Sequence, residues 1–265
     1  MIRVAVVGAS GRMGQEVIKA LANSAAEFEI VAAIDRERVG DSICQICPKA
    51  PDIAIEEKIG AALDRTKPDA MVDFTHPGSA VAHALSALQR GVSPVIGTTG
   101  LGESSVRELA SASRETSTPG LYAPNFAIGA VLMMRFSQLA AKWLPNCEII
   151  ELHHDRKEDA PSGTAMLTAQ LIGDARADSP SRKPRPIFKV EGVRGGSYHD
   201  TPIHSVRLPG YVAHQEVIFG GTGEVLSIRH DSMDRVSFME GVKLALREVR
   251  NLEGFVVGMD KLLFR

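Results

Sequence analysis

The sequence has no excess of basic charge, no long apolar run, few cysteines and no internal repeat. Each lack removes a class of function. It carries 30 Lys and Arg against 32 Asp and Glu, a formal net charge of −2, so no positive field invites nucleic acid. Its apolar runs fall far short of the roughly 20 residues that a membrane helix needs, and no membrane association is expected. The opening run Met1-Ile2-Arg3-Val4-Ala5-Val6-Val7 is too short for a signal peptide and leads straight into glycine, so a cytoplasmic protein is expected. Three cysteines fit a reducing compartment better than a disulfide scaffold. Cys44 and Cys47 are spaced as Cys-x-x-Cys. Without a thioredoxin-like context or two more ligands they read as a coincidental pair in a loop. No His-x-x-x-His helix pair and no four-ligand set occurs, and no metal is expected.

What is present is the mix of a globular protein. The 265 residues are 44% apolar and 23% charged, enough for one large domain or two of ordinary size. Ile2–Val7 reads as a buried parallel strand. Gly8-Ala9-Ser10-Gly11-Arg12-Met13-Gly14 follows, and then the helical spacing Val17, Ile18, Leu21. The pattern G-x-x-G-x-x-G is a variant of the commoner G-x-G-x-x-G, but its physics is the same. Glycines let backbone approach a pyrophosphate, and the helix N-terminus faces the charge. A second strand, 29–34, ends at Asp35, about where an acidic residue meets the adenine ribose in such folds. Arg36 follows, and its guanidinium suits a 2′-phosphate. The carboxylate cannot easily leave, whereas the arginine can turn, so use of both NADH and NADPH is expected, with a modest preference for NADH.

Strand and helix then alternate: strands at 70–74, 92–96 and 121–123, helices at 79–89 and 104–113. That order predicts a parallel sheet with helices on both faces and ligands beyond the carboxyl ends of its strands. Phe74-Thr75-His76, Gly97-Thr98-Thr99-Gly100 and Asn125-Phe126 lie at such ends. His76 reads more simply as part of a polar strand-to-helix turn. In the second half, 128–143 is amphipathic, with Ile128, Val131, Leu132, Phe136, Leu139 and Leu144 on one side. Residues 178–202 are rich in Pro, Gly, Ser, Arg and Lys and predict a loop. Three β-like runs, 203–208, 212–219 and 225–230, suggest antiparallel pairing, with an open sheet that invites oligomerisation. A closing helix is expected over 235–249.

The stretch 153–164 carries the most chemistry. It reads His153-His154-Asp155-Arg156-Lys157-Glu158-Asp159-Ala160-Pro161-Ser162-Gly163-Thr164, between a strand (148–152) and a helix (165–172). Pro161 suits a first helical turn and Ser162 a cap. A helix start binds anions, and Lys157 adds a full charge. Any one of these residues alone reads as a strand end or a solvated loop charge. Together they can bind a small carboxylate and offer it a proton. Adjacent strand residues face opposite ways, so His153 and His154 do not suit one metal ion.

These motifs, with Asp73-Phe74-Thr75 and Pro124-Asn125-Phe126, resemble those of the 4-hydroxy-tetrahydrodipicolinate reductase (dihydrodipicolinate reductase) family over nearly the whole chain. The resemblance implies an α/β protein with an N-terminal Rossmann-type parallel-sheet domain, 1–126, which 235–265 returns to join. It also implies a central α+β substrate and oligomerisation domain, 127–234, and a homotetramer. The implied reaction moves a hydride from NADH or NADPH to a cyclic dicarboxylate in diaminopimelate and lysine biosynthesis. The implied catalytic residues are His153, as general acid, and Lys157. His154, Lys157, Ser162, Gly163 and Thr164 match the carboxylate cradle. Gly8, Gly11, Arg12 and Met13 match the pyrophosphate loop, Asp35 and Arg36 the ribose reader, and Phe74, Thr75, Gly97, Thr99 and Phe126 the nicotinamide side. Asp155-Arg156 departs from the family pattern between the histidine pair and the lysine. Two other readings compete: a related reductase acting on an open-chain substrate, and a nucleotide-sensing module without turnover. The first predicts activity on an open-chain carbonyl; the second leaves 153–164 without a purpose.

Overall fold

The computed structural model describes residues 1–176 and 187–264. The chain divides into two compact units, Met1–Ile128 with Arg235–Arg265, and Gly129–Asp234. The first unit opens with β1 (Ile2–Val7), the glycine turn, α1 (Arg12–Ala22) and β2 (Phe28–Ile34). The spacing of Val17, Ile18 and Leu21 puts all three against the sheet, each at most 1% exposed. Next come β3 (Ile55–Glu56), α2 (Ile59–Thr66), β4 (Ala70–Asp73), α3 (Pro77–Leu88), β5 (Ser93–Ile96), α4 (Glu103–Thr116) and β6 (Gly120–Tyr122). Every strand pairing in this sheet is parallel. Its central strands β4 and β5 are buried throughout, as parallel strands covered on both faces are.

The second unit follows α5 (Ile128–Ala140) with β7 (Asn146–His153), α6 (Gly163–Ala175), β8 (Gly196–Tyr198), β9 (Thr201–Arg207), β10 (Ala213–Gly221) and β11 (Glu224–Ser232). Its sheet order is β11-β10-β7-β9-β8. The three consecutive β runs do not simply pair in turn. β10 and β11 form an antiparallel pair, but β7 lies between β10 and β9 and runs parallel to β9. Both β9 and β7 therefore end on the side where β10 begins, so the link 208–212 crosses the end of β7. There Leu208 N–H donates to the His153 carbonyl at 3.1 Å.

Three further expectations are corrected. α5 buries Ala130, Val131, Met133, Met134 and Ser137, whereas Phe136 and Leu139 are 48% and 56% exposed. This helix is apolar on most sides, so periodicity does not select a face, and the small Ala130 and Ser137 are among the residues it buries. The expected loop 178–202 contains an edge strand, β8, that pairs with β9; its basic cluster at 179–186 lies outside the described residues. The closing helix begins as a 3-10 turn (Arg235–Phe238) before α7 (Met239–Glu248) and ends in another (Val249–Asn251).

After α7, β12 (Phe255–Val257) joins β6 and completes the sheet order β12-β6-β5-β4-β1-β2-β3, before α8 (Asp260–Leu263). The C-terminal return is pinned by contacts local spacing does not show. A Cβ on Gly241 would lie 1.9 Å from the Phe126 carbonyl oxygen, so only glycine allows that approach. The Arg247 guanidinium pairs with Glu27, and Arg250 with Asp69 at 2.9 Å. Strand order reverses between β1 and β4, which places a crevice at their carboxyl ends.

Candidate active site

In the first unit, the turn after β1 is closed to side chains. Gly8 has φ +82°, and a Cβ there would lie 3.0 Å from the Phe74 carbonyl oxygen. A Cβ on Gly14 would meet the Gly8 carbonyl oxygen at 1.9 Å, so α1 packs directly onto the turn. Gly11 is the N-cap of α1 and offers no side-chain cap. The amides around Arg12 and Met13 thus open an 11-residue helix toward the crevice, a site that fits a pyrophosphate. Asp35 takes part in this turn. Its carboxylate accepts from Ser10 N at 2.8 Å, Arg36 N at 2.7 Å and Glu37 N at 3.1 Å, so it ties the glycine turn to the end of β2. The Arg36 side chain is exposed.

The neighbouring strand ends meet. A Cβ on Gly97 would sit 2.1 Å from the Phe74 ring. The Phe126 ring lies 5.7 Å from Phe74, tilted by 59°. Thr75 is bound through its amide and hydroxyl to Asp73, while Thr99 is exposed. Phe74, Thr75, Gly97 and Phe126 therefore form one cluster. His76 caps α3 by accepting from Gly78 N at 3.2 Å, an ordinary turn role.

In the second unit, strand alternation puts Glu151 and His153 on one face of β7. Glu151 is fully buried. Its carboxylate accepts from His153 Nδ1 at 2.5 Å and from both terminal nitrogens of Arg207 at 3.0 and 2.7 Å. Burial alone pushes this carboxyl up, but hydrogen bonds from His153, Arg207 and Ser205 outweigh it and hold it at about 2. An ionised carboxylate only accepts, so His153 Nδ1 carries the proton and Nε2 is left for chemistry. Arg207 stands opposite His153 in the β7–β9 register and also donates to the Asp159 carbonyl at 2.7 Å.

Lys157 Nζ donates to both Asp159 oxygens at 2.6 and 2.8 Å, and that bond lowers the Asp159 carboxyl. Asp159 is largely exposed, so the pair is weak and can exchange for another carboxylate. His154 Nδ1 is buried with no hydrogen-bond partner among the described residues, which suits a polar ligand. Ser162 caps α6, its hydroxyl accepting from Ala165 N at 3.2 Å. Pro161 lies before that cap, after a cis Ala160–Pro161 bond, and not in the first helical turn as its spacing suggests. Gly163 opens α6, and among the described residues nothing lies within 4 Å of an added Cβ. Thr164, half-buried, accepts from Thr168 Oγ1 through its carbonyl.

Sequence reasoning missed Glu151 and Arg207. A signal for Glu151 exists: it is a charge in an apolar strand, two residues before a histidine. Arg207 has none, because only the pairing of β7 with β9 brings it there. Among the described residues no group of three or more His, Cys, Asp or Glu could hold a metal ion, and Asp155 and Arg156 are exposed.

The Glu151 contacts carry a pH consequence. A carboxyl held at about 2, below its ordinary 4.5, stabilises the fold above pH 4.5 and loses that contribution as pH falls from about 4.5 toward 2. Glu151→Gln should therefore melt lower than the parent near neutrality, and the gap should shrink below pH 4.5. Thermal melts from pH 7 to pH 3 check this; a constant gap would show that the charge is not what stabilises.

A family model described as dihydrodipicolinate reductase, N-terminus, matches residues 2–126. One described as dihydrodipicolinate reductase, C-terminus, matches 129–263. The chain is 48% identical to the 4-hydroxy-tetrahydrodipicolinate reductase of Syntrophomonas wolfei over 262 residues, 98% of each chain. It is 44% identical to that of Bacillus pumilus, covering 99% of this chain and 98% of the relative. Among solved structures, the dipicolinate-bound dihydrodipicolinate reductase from Paenisporosarcina sp. TG-14 matches with a TM-score of 0.87 and 42% identity. It covers 98% of this chain and 99% of that one.

Proposed function

The chain belongs to the dihydrodipicolinate reductase family, and on that premise we propose a division of labour among its residues. The reaction takes a hydride from NAD(P)H to 4-hydroxy-tetrahydrodipicolinate, with loss of water, and gives tetrahydrodipicolinate for diaminopimelate and lysine synthesis. When bound, the nicotinamide supplies the hydride. Gly8, Gly11, Arg12 and Met13 hold the pyrophosphate, Asp35 and Arg36 meet the adenosine ribose, and Phe74, Thr75, Gly97, Thr99 and Phe126 line the nicotinamide side.

As the imidazolium, with its Nδ1–H held by Glu151, His153 gives its Nε2 proton to the reduced substrate and is left as the Nδ1–H neutral ring, while Glu151 fixes its orientation. Lys157, His154, Ser162 and the α6 amides at Gly163 and Thr164 hold the substrate carboxylates. The observation that carries this reading is the buried Glu151 bridging His153 and Arg207, on the strand that leads to the Ser162-capped start of α6. NADH oxidation with freshly made 4-hydroxy-tetrahydrodipicolinate tests it; no turnover with that substrate would overturn it. A planar pyridine dicarboxylate should inhibit.

Both NADH and NADPH are expected to serve, with NADH modestly preferred. Asp35 can accept from the ribose hydroxyls, but it also anchors Ser10. Asp35→Ala should thus weaken both cofactors while shifting the ratio toward NADPH, and Arg36→Ala should weaken NADPH selectively. Paired kcat/KM values decide it; a strong parental preference for NADPH would show that Arg36 dominates.

A homotetramer built through the second unit's sheet is also proposed. The face opposite Ile149 and Val217 carries Ile150, Leu152, Val206 and Ile218, all only half-buried, and Val225 on β11 is 72% exposed. Such apolar surface favours association. Light scattering that reads the mass of a single chain would reject it.

A further inference from the structure

The first unit contains a buried charge that the roles above do not use. β4 reads Ala70-Met71-Val72-Asp73, and all four residues are buried; Asp73 is 0% exposed. A carboxylate in such a place is costly unless it is fully hydrogen-bonded. Asp73 is. Its Oδ1 accepts from Thr75 N at 2.8 Å, Thr75 Oγ1 at 2.6 Å and Thr98 Oγ1 at 3.0 Å, and its Oδ2 pairs with His83 Nδ1 at 2.8 Å. Ser79 Oγ in turn donates to Thr75 Oγ1 at 3.2 Å. The partners come from the turn after β4, the turn after β5, and α3.

The sheet itself does not require this arrangement, because ladder pairing already sets β4 against β5 up to Asp73 and Ile96. What the ladder cannot set is the spacing of the two turns beyond the strand ends. Those turns carry Phe74-Thr75 and Gly97-Thr98-Thr99. The fit between them has no slack, since the Phe74 ring fills the space a Cβ on Gly97 would need.

We propose that Asp73, with Thr75, Thr98 and His83, is a positioning unit that fixes these two turns relative to each other so that the nicotinamide end of the cofactor is held in one pose. Asp73 touches neither substrate nor cofactor; it acts through Thr75 and Thr98. The proposal rests on the assignment of these turns to the nicotinamide side.

Thr98→Val tests it, because it removes the hydroxyl that links the second turn to Asp73 with little change of shape, and Thr98→Ser should restore it. Dissociation constants for NADH and for ADP-ribose, which lacks the nicotinamide, are measured by calorimetry beside kcat. In Thr98→Val, NADH binding should weaken about tenfold, an effect within the range for a lost bond to a charged group, and kcat should fall with it. ADP-ribose affinity should stay at the parental value, and Thr98→Ser should resemble the parent. Asp73→Asn should move the same readouts further; if it does not fold, Thr98→Val decides alone. The proposal is overturned if Thr98→Val binds and turns over as the parent does, if NADH and ADP-ribose weaken alike, or if Thr98→Ser fails to restore binding. A parent that binds NADH but does not reduce 4-hydroxy-tetrahydrodipicolinate would sink the proposed activity, and the NADH to ADP-ribose comparison would still decide this one.

Discussion

His153→Ala should lower kcat by about 10²–10⁴-fold, the usual contribution of a general acid, while NADH affinity holds. The structure makes this a clean test. Removing the imidazole leaves Glu151 bound by both terminal nitrogens of Arg207, so the buried carboxylate keeps a charged partner and β7 keeps its pairing to β9 and β10. A loss of turnover would then report the missing proton donor and not a collapsed strand. Steady-state kinetics beside a melting curve measure both. Turnover equal to the parent's would remove His153 from the mechanism.

The second large effect is expected at Lys157. Among the described side chains its ammonium is held by Asp159 alone, and because Asp159 is largely exposed such a pair contributes roughly 0–1 kcal/mol. Lys157→Ala therefore costs little stability. If Lys157 meets a substrate carboxylate as proposed, that charge-assisted bond should be worth about 1.5–3 kcal/mol. That is about 10- to 100-fold in kcat/KM. Inhibition by a planar pyridine dicarboxylate should weaken in parallel, and NADH affinity should not change. A dicarboxylate that inhibits the variant as well as it inhibits the parent would show that the charge lies elsewhere, with Arg207 the first candidate.

Much of this protein is written locally. The glycine turn, the burial of Val17, Ile18 and Leu21, the alternation of strand and helix through β6, and the cap at Ser162 all follow from spacing over a few residues, because backbone periodicity and capping are short-range effects. The position of His153 at a strand end is local too. What the tertiary structure decided lies between segments far apart in the chain. Arg207 reaches Glu151 across 56 residues only because β9 runs parallel to β7, and no periodicity distinguishes that pairing from a simple meander. Thr98 reaches Asp73 from 25 residues away. The buried face of α5 was not legible, since an apolar helix gives its own sequence no direction. β12 was not legible either, since three residues are too few for a period. The amino-acid order thus named the residues proposed to meet substrate and cofactor. The partners proposed to hold them in place came from tertiary structure, Glu151 and Arg207 through strand register and Asp73 through the turns beyond β4 and β5 and α3, because a buried charge is satisfied by whichever donors the fold brings to it.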